Sequence, residues 1–174
     1  ICINQRFKMG INERKEREKE VLQKSILTAA REVFLEKGFD QTSIRSIAQR
    51  IEYSPTTIYL YYKDKDAILY ALHTEGFHLL GSKIEVLNSV ENPLERVKAM
   101  GRIYIQFAMD YPDYYDLMFV QKSPMNKLDE DHEVWQEGQS TFDGLKFTVQ
   151  QCMDQGYLSF TDVEAGSYLL WAAL

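Results

Sequence analysis

Two groups of side chains in this sequence are spaced to do chemistry. The histidines are His73, His78 and His132, and two of them follow a carboxylate at one helical turn: Glu75-x-x-His78 and Asp129-x-x-His132. That is the spacing of helical di-metal sites, but such sites also need carboxylates from facing helices, and no second Glu-x-x-His is present. No nucleophile elbow, phosphate loop or cysteine cluster is found either, so no catalysis, metal or cofactor is expected. The second group is a run of hydroxyls and phenols, Ser54 to Tyr62, ending beside Lys63 and Lys65. Hydroxyls donate to phosphate oxygens or accept from base edges, and Thr or Leu suits a thymine methyl. This is nucleic-acid chemistry, provided that a rigid element turns Thr56, Thr57, Tyr59 and Leu60 outward.

The elements that would hold them are helical. Residues 1–12 show no hydrophobic period and are set aside, with Met9 a candidate start. Mixed charges from Glu13 to Glu20 read as a solvated helix start, from which Arg14, Lys15 or Arg17 could reach a phosphate. Leu22, Ile26, Ala29, Ala30, Val33 and Phe34 then form one buried stripe, and Gly38 stops the helix. Thr42-Ser43 caps a short helix over 44–51 with Ile44, Ile47, Ala48 and Ile51 inward. Ser54 caps a third, over 55–62, with Pro55 at its first position. Two short helices joined by a tight turn have helix-turn-helix spacing, and the small Ala48 lets their backbones approach. Asp64 is a cap for a long fourth helix to about Val90; Pro93 opens a fifth to Tyr111 and Pro112 a sixth. After a loop at 122–127, a long helix is expected from Asp129 to Gln155, stopped by Gly156. A last helix starts near Asp162 and is still apolar at Leu174, so the natural chain is expected to continue. No strand alternation persists, and the class expected is all-α: a helix-turn-helix domain over 13–70 and a larger helical domain over 71–174.

Charge is divided between the two. Residues 1–70 carry 13 Lys and Arg against 10 Asp and Glu, a balance of +3, while residues 71–174 carry −9, within a net charge of −6. One end can approach a polyanion while the other is repelled. No apolar run reaches the ~20 residues of a membrane span, no signal-peptide core is seen, and the two cysteines imply no disulfide framework. A cytoplasmic protein without membrane partners is expected.

The stretch QTSIRSIAQRIEYSPTTIYLYYKDKDAIL resembles the DNA-binding signature of the tetracycline-repressor (TetR) family, and with the preceding helix and Gly38-Phe39 the likeness covers about residues 17–70. The resemblance implies that Thr42 and Ser43 hold phosphate. It implies that Ser54, Thr56, Thr57, Tyr59 and Tyr61 face the groove, that Lys63 and Lys65 pair with the flanking backbone, and that Arg45 reads a base or a phosphate. Tyr62 is expected to pack against the first helix instead. Two positions depart from the pattern: the turn residue usually glycine is Glu52, and Leu60 replaces a common His. A non-glycine residue at φ > 0 costs on the order of 1 kcal/mol, so a wider or strained turn is expected.

A weaker likeness, Tyr104-x-x-Phe107-Ala108 through Tyr115 and Phe119, then Trp171-Ala172-Ala173, links the second domain to a subgroup with a Trp-containing last helix. That resemblance implies a homodimer built on the last two helices, with Phe142, Leu145, Val149, Cys152, Met153, Tyr168 and Trp171 at the interface; the same stripe also suits an internal core face. Phe77, Tyr104, Phe107, Tyr111, Tyr115, Met118, Phe119 and Trp135 form an aromatic- and Met-rich set suited to an apolar small-molecule pocket. The family's commonest behaviour adds the remaining expectation, a repressor released from palindromic double-stranded operator DNA by its effector. A helical interaction module with a vestigial motif is the rival, because the recognition helix lacks Lys and Arg.

Overall fold

The computed structural model describes residues 2–121 and 136–174, and every regular element among them is helical. They divide into two compact units, Ile1–Ala71 and Leu72–Leu174, with the boundary inside one helix.

The first unit is built from α1 (Cys2–Lys37), α2 (Ile44–Arg50), α3 (Pro55–Tyr59) and the start of α4 (Lys65–Glu85). Helix α1 starts well before Glu13, so the residues set aside for want of a period are helical as well. Its buried stripe is Ile26, Ala29, Ala30, Val33 and Phe34, met by Ile44, Ile47 and Ala48 of α2 and Ile58 of α3. Phe39 closes on Phe34 with ring centroids 5.3 Å apart, and Tyr62 is buried. Gly38 ends α1 at φ 77°, a left-handed conformation that glycine enters without steric cost. Helix α3 is shorter than its pattern: after Tyr59 the N–H groups of Leu60 and Tyr61 turn to the Thr57 and Ile58 carbonyls, tightening the last turn. Asp64 then caps α4 through the Ala67 N–H at 2.7 Å.

The second unit continues α4, which ends at Glu85 and tightens into a 3-10 turn over Val86–Ser89. Helix α5 (Pro93–Asp110) is capped by Asn92. Helix α6 (Pro112–Tyr115) widens into a π turn over Asp116–Val120. Helices α7 (Gln136–Asp154) and α8 (Val163–Ala172) complete it; Asp162 caps α8 through the Ala165 N–H at 2.7 Å. The core is Leu72, Leu80, Phe107, Leu117, Val149 and Cys152, all but sealed from solvent. At Gly76 a Cβ would lie 2.4 Å from Met118 Sδ, so the lack of a side chain is what lets α4 and the π turn touch.

Candidate nucleic-acid interface and effector cavity

The α2–α3 pair is held by its caps and by two clamps onto α1. Ser43 and Ser46 form a reciprocal cap, each main-chain N–H bonded to the other's hydroxyl at 3.1 Å. Ser54 accepts the Thr57 N–H at 3.2 Å, and the two hydroxyls lie 2.9 Å apart. The Arg50 guanidinium joins α2 to α1 through Glu32, at 3.0 Å, and Glu36. Its hydrogen bond to Glu36 raises its own pKa and lowers that of the carboxyl.

Between the helices Glu52 takes φ 59°, and the ladder closes by Tyr53 N–H to the Ala48 carbonyl at 3.0 Å. The turn keeps its tight shape and a carboxylate residue carries the strain. Glu52→Gly is therefore expected to stabilise the protein by about 1 kcal/mol, raising Tm by roughly 2–4 °C. A lowered Tm in a thermal melt would show that Glu52 contributes more by its side chain than its backbone costs.

Of the ten residues expected at DNA, Ser43, Arg45, Ser54, Thr56, Tyr59 and Lys63 are exposed, and Thr57 and Tyr61 are half-buried. The other two are corrections. Thr42 is buried and its hydroxyl donates to the Gly38 carbonyl at 2.8 Å, so it ties the loop to α1 instead of meeting phosphate. Lys65 Nζ donates to the main-chain carbonyls of Phe39 (2.9 Å), Asp40 and Thr42 (both 3.4 Å) and lies 4.2 Å from the Phe39 ring centre. It is a clamp on the loop before α2. Tyr53 and Leu60 were not among the ten, yet both are exposed; their places beside the Ser54 cap and the end of α3 were the signal.

The second unit holds a half-open cavity of about 690 Å³ between α4, α5, α7 and α8. Phe77, Leu80, Met100, Tyr104, Phe119, Phe142, Leu145 and Trp171 line it. Phe119 is its hub, with ring centroids 5.2–5.8 Å from Phe77, Tyr104, Tyr115 and Trp171. The polar groups at the wall include the Tyr104 hydroxyl, 3.5 Å from that of Tyr115; burial, and then that neighbour, push the Tyr104 pKa up and keep the phenol neutral. Lys98 and Arg102 are exposed on the lining, and Lys98 pairs with Glu95 at 2.8 Å.

Three of the expected pocket residues, Phe77, Tyr104 and Phe119, thus line one cavity. Phe107, Tyr111, Tyr115 and Met118 do not: Phe107 is sealed in the core and Met118 is packed on Gly76. Trp135 lies outside the described residues. Four residues expected at a dimer interface, Phe142, Leu145, Tyr168 and Trp171, line the cavity. Val149 and Cys152 are wholly buried within the chain's own core, which removes them from any interface. Met153 is half-buried and Tyr168 half-exposed. The apolar side chain that does project from α7 is Phe147, 63% exposed, off the 145/149/152 stripe and for that reason legible in sequence. Glu75 and His78 are both exposed, and among the described residues no three His, Cys, Asp or Glu side chains are grouped to hold a metal.

A helix-turn-helix unit followed by a larger helical unit is the architecture of a DNA-binding regulator. The family model for bacterial regulatory proteins, tetR family, matches residues 26–72, and that for a tetracyclin repressor-like C-terminal domain matches residues 97–174. The chain belongs to the tetR family. The HTH-type transcriptional regulator RutR of Escherichia coli is 23% identical over 150 residues, covering 86% of this chain and 70% of RutR. The fatty acid degradation regulator FadR from Bacillus halodurans has a similar fold, with TM-score 0.72 and 19% identity over 87% of this chain and 78% of that one. AibR, solved in complex with isovaleryl coenzyme A and operator DNA, gives TM-score 0.69 and 18% identity, over 86% of this chain and 82% of its own. The protein is thus a DNA-binding transcriptional regulator and not an enzyme. Among the described residues, no helix is long and apolar enough to cross a membrane.

Proposed function

We propose that the protein is a dimeric repressor that leaves a palindromic operator when a small, largely apolar effector fills the cavity of the second unit. The cavity itself carries the reading: about 690 Å³, walled by aromatic and aliphatic side chains, it falls within the range of small-molecule sites. Lys98 and Arg102 on its lining suit an effector with an anionic end. AibR, which shares the fold, was captured with an acyl thioester and with operator DNA, which supports an effector of acyl type.

Arg45, Thr56, Tyr59 and Lys63 are the contacts of this reading, with Ser43, Ser54, Thr57 and Tyr61 at the groove walls. Exposed Phe147 and Leu169, with Tyr168, supply apolar surface on α7 and α8 for a self-complementary dimer. The effector acts only through differential affinity: it must prefer the conformer whose two recognition helices miss the operator spacing. Chromosomal DNA as partner puts the protein in the cytoplasm.

The test is selection of bound fragments from genomic DNA, then gel-shift of the best site at two salt concentrations, with and without acyl-CoA thioesters of graded chain length. A palindromic site, weaker at high salt and released by one chain length, is the expected result. Tyr59→Ala should weaken that site about tenfold, the loss of one good contact, without lowering Tm. No enriched site at low salt would leave a helical interaction module; release by no ligand would leave a constitutive DNA binder.

A further inference from the structure

Helix α3 carries no Lys or Arg, and the structure removes two nearby cations from the DNA face: Arg50 is bound by Glu32 and Glu36, and Lys65 by three carbonyls. Arg45 and Lys63 remain as the exposed cations flanking α3 along the chain. A duplex is held mainly by neutralising phosphates, and each neutralised phosphate releases counterions. Two cations per protomer are few for that task.

Further positive charge lies on α1. From Arg14 to Ser25 this helix forms one wall of a groove whose other wall is Ile51, Tyr53 and Tyr61. Four cations line it, Arg14, Lys15, Arg17 and Lys19, against the single acid Glu18. Arg14 pairs with Glu18 and Lys19 with Glu16, both in solvent, where such pairs are weak and a phosphate can replace the partner. Among the described residues Arg17 donates only to the Glu13 carbonyl, at 3.4 Å. Val21, 65% exposed, faces the same groove and offers apolar surface to a deoxyribose. On the opposite wall, Tyr53 immediately precedes the Ser54 cap of α3 and Tyr61 follows the helix, so the groove continues from the recognition helix itself. The family match begins at residue 26, beyond the whole α1 wall.

We propose that this groove is a second duplex-binding site, in which α1 holds the phosphate backbone flanking the bases that α3 reads. The inference rests on the DNA-binding reading of α3 and adds to it an extended footprint. It commits to sequence-independent contact, because the groove offers cations and phenols but no fixed fork aimed at a base edge.

The experiment is a salt titration of affinity for the selected operator and for a random duplex of equal length. It compares the intact protein, the double variant Lys15→Gln with Arg17→Gln, and Lys24→Gln as a reference. Lys24 is exposed on α1 but does not line the groove. Each phosphate contact contributes about 0.9 to the slope of log affinity against log salt. The double variant should therefore lose about two from the slope per bound protomer and weaken operator and random duplex alike, while Lys24→Gln keeps the full slope. Hydroxyl-radical footprints should shorten at both outer edges. A double variant with the intact slope, or one no different from Lys24→Gln, would overturn the proposal while leaving α3 as the reader. If the intact protein binds neither duplex, the reading of α3 fails with it. If the double variant changes oligomeric state and not DNA affinity, the groove belongs to a second copy of the chain and the proposal is likewise overturned.

Discussion

Lys65→Ala is expected to abolish operator binding and to destabilise the protein by about 2–3 kcal/mol, the scale of lost hydrogen bonds to a charged group. Its ammonium group is bonded to the carbonyls of Phe39, Asp40 and Thr42 and stacks on the Phe39 ring. Those carbonyls belong to the loop that delivers Ser43 to the start of α2, so loss of the clamp frees the loop and, with it, the angle at which α2 supports α3. Lys63→Ala is the comparison. Lys63 is exposed, and its removal should leave urea stability unchanged while lowering the salt slope of DNA affinity by about one. The two lysines, two residues apart, thus separate structural from electrostatic loss. A Lys65→Ala protein of full stability that merely loses one from its salt slope would return Lys65 to the list of phosphate contacts.

The second large effect is on pH dependence. His73 is buried in α4, and burial lowers its pKa from 6.5 to about 4; a hydrogen bond to the Leu117 main chain opposes this more weakly. Folded protein therefore keeps the ring neutral where the unfolded chain would protonate it. The unfolded state binds more protons between these values, so stability is whole above pH 6.5 and falls as the pH drops toward 4, levelling below it. The depression corresponds to about 3 kcal/mol. Urea titrations from pH 7.5 to 4 should show that loss in the intact protein and not in His73→Leu. Carboxylates with lowered pKa, such as Glu36, Glu95 and Asp143, add their own loss at the acid end, and it cancels in the difference. Parallel curves for the two proteins would mean that the folded ring accepts its proton near the ordinary value.

Much of the first unit is legible in the amino-acid sequence, because its signals are local. Ser43, Ser54 and Asp64 cap the helices they precede, Gly38 takes the left-handed turn, and Glu52 takes the conformation that its place in the turn demands. Local signals do not say which way a long side chain turns. Lys65 reads the same whether it meets solvent or three carbonyls, and Thr42 the same whether it caps outward or ties down a loop. The second unit was less legible for a related reason. An apolar stripe such as Leu145, Val149 and Cys152 looks identical facing a partner or its own core, and here Val149 and Cys152 are sealed inside. The aromatic inventory went by residue type alone, whereas the π turn over Asp116–Val120 breaks the 3.6-residue period, and Phe119, but not Tyr115 or Met118, stands at the cavity wall. The start of α1 was missed because residues 1–12 carry no regular apolar period to announce a helix.

Helix α3 divides its labour cleanly by position. Ile58 and the Ser54 cap fix its place, while Thr56, Tyr59 and Leu60 project into solvent and hold nothing together. Substitutions at the outward positions are consequently close to neutral for folding. A duplicated gene could exchange them one at a time, each copy drifting to a new operator while its fold and its stability stay intact. The specificity of such a regulator is free to evolve faster than its architecture.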